Sequence, residues 1–206
     1  MKSMEIRLAK FISVLFHPVL MPAYIMGILL NLDAYFVLIL SWKAKGMLIG
    51  MVFLSTCILP LSIILLLIHS GKMLSLNMEK RQERTVSLLI ISIFYYITWW
   101  ILARMQLSPV FPVFMIGIFY TSVAALVINL LLKISLHMIA AGGATAVFIG
   151  LSFLLLQPLQ LLIMQLILLS GIIGFARLKL NAHNPAQVYL GWIVGMVIML
   201  SMMNYT

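Results

Sequence analysis

Three short stretches hold most of the residues in this chain that could do polar chemistry. In the last of them Arg177 precedes His183 with five residues between, and Gln187 follows with three between. In the second, Lys133 leads into Ser135-Leu136-His137. The first reads Asn77-Met78-Glu79-Lys80-Arg81-Gln82-Glu83-Arg84-Thr85. Imidazoles titrate near neutrality and serve as nucleophile or acid. Guanidinium forks grip two oxygens of a phosphate at once. The helix signals around them agree: Asn184 is a predicted N-cap with Pro185 in the first turn, and Ser135 is a predicted N-cap for the helix carrying His137. Helix N-termini attract anions. Two of them beside Arg177, Arg84 and Lys133 suit a phosphate group. His183 and Gln187, four apart, meet on one face of a helix start. The amide there can accept from one ring nitrogen and leave the other for attack.

These residues must be positioned by very apolar elements. The chain has 206 residues, 65% of them hydrophobic, and only 8% are charged against roughly 25% in an ordinary soluble domain. The mean hydropathy is +1.21. Such a composition excludes a soluble globular enzyme, a disordered tail and a nucleic-acid binder with a solvated basic face. It predicts an all-α, polytopic transmembrane helix bundle. About 20 residues cross a bilayer as a helix, so six or seven helices fit. Apolar segments run over 19–41, 46–69, 86–104, 110–131, 137–157, 159–176 and 186–203. Residues 1–206 form one membrane domain with no room for a separate soluble one. Residues 1–18 are read as an interfacial segment, amphipathic over 3–16. It is not a signal peptide, because no small-x-small site follows and His17-Pro18 interrupts the run.

Alternating the seven segments across the bilayer puts the loops 70–85, 132–136 and 177–185 on the N-terminal side. Every basic residue except Lys43, Lys45 and Arg104 then lies on that side. Positive-inside counting makes that side cytoplasmic. The count loses its meaning once Lys80, Arg81, Arg84, Lys133, Arg177 and Lys179 are assigned to a site. The lone Cys57 cannot make an internal disulfide. The 16 methionines are packing and lipid-facing residues. Trp42, Trp99, Trp100 and Trp192 are expected near interfaces.

The order and spacing of the three stretches resemble those of the membrane-embedded type 2 phosphatidic acid phosphatases, relatives of the vanadium haloperoxidases. The third motif of that family is S-R-x5-H-x3-D; here it reads Ala176-Arg177, five residues, His183, three residues, Gln187. The second is P-S-G-H, against Ile134-Ser135-Leu136-His137. The first is K-x6-R-P, against Arg84-Thr85, with Asn77 where the lysine falls and Lys80 or Arg81 able to supply the charge. The resemblance covers residues 77–200. It implies hydrolysis of a lipid phosphate or diphosphate without metal or other cofactor. His183 is then the nucleophile forming a phosphohistidine, and His137 the general acid. Arg177, Arg84, Ser135 and Lys80 or Arg81 hold the phosphoryl oxygens. The expected partners are a lipid phosphate substrate and membrane lipids, with no nucleic acid. The expected place is a bacterial inner (cytoplasmic) membrane. Three departures bear on activity: Gln187 for the aspartate that orients the nucleophile, Leu136 for a glycine, and Thr85 for a proline.

Each of these residues also has a structural reading. His183 is then a polar loop histidine and His137 a packed helix-start histidine. Arg177 becomes a snorkelling arginine, and Lys80 and Arg81 partners of Glu79 and Glu83 on a solvated turn. Lys133 and Lys179 contact headgroups, His17 and His69 are interfacial, and Asp33 is a helix-end or inter-helix contact. Gly142-Gly143 permits close helix packing. A relative without turnover that binds or moves anionic lipids, and a structural membrane protein, are the rival functions.

Overall fold

Lipid offers no hydrogen bonds, so an apolar chain must satisfy its own backbone, and a helix does so within one segment. The computed structural model describes residues 2–74, 81–156 and 158–204, and among these no strand occurs. The helices are α1 Lys2–Leu15, α2 Met21–Leu29, α3 Tyr35–Leu38, α4 Trp42–Phe53, α5 Leu59–His69, α6 Arg81–Arg104, α7 Val110–Leu131, α8 Leu136–Leu155, α9 Gln160–Lys179 and α10 Pro185–Met203. A π turn, Leu54–Ile58, joins α4 to α5. Pro60 lies just beyond it and offers no N–H to the preceding turn, which the wider turn accommodates. Trp42–His69, α6, α7, α8, α9 and α10 are each long and apolar enough to cross a bilayer. The chain is an all-α polytopic membrane protein.

One expected segment is not a single helix. Residues 19–41 divide into α2 and the four-residue α3. The Asn31 side chain donates to the Gly27 carbonyl at 2.8 Å, taking the acceptor that a continuing helix would give to the Asn31 backbone. The Asn31 N–H turns instead to Ile28 at 3.0 Å, a tighter closure that ends α2.

The chain divides into two compact units. Residues 22–132 form one. Within it, buried hydroxyls pair between helices: Ser92 Oγ with Ser122 Oγ, and Thr98 Oγ1 with Ser55 Oγ, both at 2.8 Å. Such pairs are the usual polar glue between membrane helices.

Residues 1–21 and 133–206 form the other unit, built from α1, α8, α9 and α10. Its central helix is α8, buried continuously over residues 141–148. Glycines let α10 dock on it. A Cβ on Gly142 would collide with the Trp192 carbonyl, and one on Gly195 with the Ile139 carbonyl. A Cβ on Gly191 would stand 2.8 Å from the Ser135 carbonyl oxygen. The expected role of Gly142 is therefore met: it faces the Trp192 carbonyl and the Met196 nitrogen, while Gly191 and Gly195, a G-x-x-x-G on α10, face the Ser135 and Ile139 carbonyls. Trp192 is half-buried against the Met138, Ala141, Ile173 and Val188 core of this unit.

Candidate functional site

The turn from α9 to α10 carries His183, and local sequence fixes it at both ends. Asn181 sits in the left-handed region at φ 51°, and the Ala182 N–H reaches back to the Arg177 carbonyl at 3.2 Å. That closes α9 in the manner of a Schellman turn, with asparagine tolerated where glycine is commonest. Three residues later Asn184 caps α10. Its Oδ1 accepts from the Gln187 N–H at 2.9 Å, and Gln187 Oε1 accepts from the Asn184 N–H at 3.3 Å. This is a complete capping box with Pro185 in the first turn. Replacing Asn184 by alanine should cost about 1 kcal/mol, and by glycine only a few tenths. Thermal unfolding in detergent measures both, and no loss in the alanine variant would mean that the side-chain cap contributes nothing.

The capping box also sets the tautomer of His183. Its Nδ1 lies 3.0 Å from Gln187 Oε1. The same Oε1 receives a backbone N–H, which can only donate, so the amide oxygen is the atom facing His183. Nδ1 therefore donates the proton, and in the neutral ring the lone pair belongs to Nε2. The expected pairing of His183 with Gln187 is present in this geometry.

Ser135 occupies the N-cap position of α8, but its hydroxyl makes no cap hydrogen bond. The expected cap interaction is absent. Instead the residue is fully buried, and its Oγ has no partner among the described residues. The Ser135 N–H points at the Gln187 carbonyl at 3.4 Å, tying the start of α8 to the start of α10.

His137, two residues on, directs Nε2 to the Ser13 carbonyl of α1 at 2.9 Å. A carbonyl only accepts, so His137 carries its proton on Nε2. Arg177, near the end of α9, donates from Nη1 to Ser13 Oγ at 3.3 Å, and its buried Nε has no partner among the described residues. His17 packs edge-on against His137, with ring centroids 5.5 Å apart. One edge of His17 stays exposed. The protein atoms gathered around it lower its pKa, and the Arg177 charge acts in the same direction. His183 is within electrostatic reach of His137.

One unit thus brings together Ser135, His137, Arg177, His183 and Gln187. Lys179, expected at headgroups, pairs with Glu5 of α1. Lys133 is exposed. Two residues from the expected interfacial segment, Ser13 and His17, also touch the cluster. The contacts of Ser13 span 124 and 164 positions of chain. The local signal is slight: Ser13 follows Ala9 by one turn, a narrow face of small residues.

The remaining expected ligands belong to the other unit. Arg81 is exposed and donates from Nη2 to the Leu131 carbonyl at 2.8 Å, closing the end of α7. Glu83 is buried and accepts from the Leu74 N–H at 3.1 Å, and among the described residues it makes no ion pair with Arg81. Arg84 is half-buried, with Nε unpartnered among the described residues. Lys80 lies outside the described residues. No group of three or more His, Cys, Asp or Glu side chains is gathered as metal ligands among the described residues.

Fold and cluster together define a helical integral membrane protein in which one cluster of ionisable groups lies where three helix ends meet a fourth helix. No protein-family model, no characterised protein and no solved structure matches the chain.

Proposed function

We propose that the chain is a membrane-embedded lipid phosphate or diphosphate phosphatase, working in a bacterial inner membrane through a phosphohistidine. The observation that carries this reading is the His183 ring, fixed by Gln187 with its lone pair on Nε2, in the same unit as Arg177 and Ser135. Nε2 attacks phosphorus, a P–N bond forms, and the P–O bond to the leaving group breaks. The departing oxygen takes the Nε2 proton of His137 in its doubly protonated form, which leaves a neutral ring with its proton on Nδ1. Water then splits the P–N bond and releases phosphate. Charge on the equatorial oxygens is met by donors already in place, which is where most of the catalysis of phosphoryl transfer lies. Arg177 Nε and Ser135 Oγ, both buried, are two such donors. Burying a polar group without a partner is costly, and a phosphoryl oxygen would relieve both.

Purified protein in detergent should release inorganic phosphate from phosphatidate, phosphatidylglycerol phosphate or an isoprenoid diphosphate. Orthovanadate, which mimics the five-coordinate transition state, should inhibit that release. Absence of both phosphate release and vanadate binding would end the proposal. Gln187 supports a second reading, a relative that holds or moves anionic lipids without turnover, because the family's orienting carboxylate is replaced by a neutral amide. Vanadate binding without phosphate release selects that reading.

A further inference from the structure

The cluster is covered by α1, and the way it is covered is specific. The Ser13 carbonyl occupies His137 Nε2, and the Ser13 hydroxyl occupies Arg177 Nη1. On the phosphatase reading, these atoms serve the leaving oxygen and a phosphoryl oxygen. Ser13 therefore presents two oxygens where a phosphate ester would present its own. A substrate and α1 cannot both hold them. We propose that α1 is a displaceable autoinhibitory cover of the site, and that a lipid phosphate entering it drives α1 off. The inference rests on the phosphatase or phosphate-binding reading of the cluster.

The attachment of α1 is suited to such exchange. Ala9 and Ser13 are its buried residues, with Ile12 and Phe16 packed at the margin of the core. These are side-chain contacts, whereas α10 interlocks with α8 at backbone contact. The Glu5–Lys179 pair holds the other end, and both side chains are more than a third exposed. An exposed pair of this kind contributes little. The outer side of α1 keeps it at the membrane when it lifts. Met4, Leu8 and Phe11 are exposed along it, with Arg7 and Lys10 beside them. Such a helix rests on the boundary between headgroups and acyl chains.

Spin labels at Val14→Cys on α1 and Phe175→Cys on α9 report the movement, in a Cys57→Ser background. Both label sites are exposed, at 70% and 62%. Orthovanadate is the probe, and calorimetry on the same sample records whether it binds. The expected result is a longer, broader separation as vanadate saturates. Ser13→Ala and Glu5→Gln should each tighten vanadate binding about two- to threefold, because the closed state competes less well. Vanadate binding with an unchanged separation overturns the cover and leaves the site reading standing. No vanadate binding overturns both.

Discussion

His183→Ala is expected to lower phosphate release about a thousandfold or more, to the background rate. On the phosphatase reading, alanine removes the nucleophile while keeping the capping box beside it. His183 stands outside the capping box: Gln187 Oε1 keeps its bond from the Asn184 N–H, and Asn184 keeps its bond from Gln187. Thermal unfolding should therefore shift little while turnover disappears. If His183→Ala releases phosphate as fast as wild type, the phosphohistidine is wrong.

A paired variant moves the rate the other way. Gln187 already sets the tautomer of His183, so a carboxylate in its place would add only charge. Gln187→Glu is isosteric and puts a carboxylate oxygen where Oε1 now stands, 3.0 Å from Nδ1. Glutamate at this position also keeps the capping box. A negative charge there stabilises the cationic ring of the intermediate and should raise turnover about ten- to a hundredfold. The shorter Gln187→Asp should gain less, because it reaches Nδ1 less well. Histidine acting only as a packed polar group would show neither the loss nor the gain.

The parts of this site that could be read from sequence are those made locally. His183, Gln187, Asn184 and Pro185 interact within one helical turn, so their spacing alone predicts the geometry. The six long helices were legible for a similar reason, since twenty apolar residues leave few alternatives to a spanning helix. Residues 19–41 were not. Hydropathy sums side chains and is blind to one asparagine that takes a carbonyl from the next turn. Ser13 was illegible because its importance lies in its backbone carbonyl and a hydroxyl facing residues far along the chain. The α8–α10 seam was half legible. Gly142-Gly143 stood out as a pair, while Gly191 and Gly195, spaced by one turn, only gain meaning beside the carbonyls they approach.

That seam leads to the second large effect. Gly195→Ala should destabilise the protein by about 3 kcal/mol or more, at or above the upper end for overpacking a core. The added methyl would meet the Ile139 carbonyl and approach the Gly143 nitrogen to 2.9 Å. These are backbone atoms of a helix buried on most sides, so no rotamer change makes room and the two helices must part. Gly171→Ala in α9 is the control. Nothing lies within 4 Å of a Cβ there, and removing a helix-interior glycine should stabilise by about 0.5–1 kcal/mol. Thermal unfolding in detergent compares them, and equal stability of the two variants would mean that the seam is looser than described. The same parting has a chemical consequence. His137 begins just past the N-cap of α8, and His183 immediately precedes α10. The Ser135 N–H to Gln187 carbonyl bond and the contact of Gly191 with the Ser135 carbonyl hold those helix starts together. Gly191→Ala, placed at the site end of the seam, should therefore cost more activity than its loss of stability alone would produce, whereas Gly150→Ala, at the far end against Met203, should cost stability only.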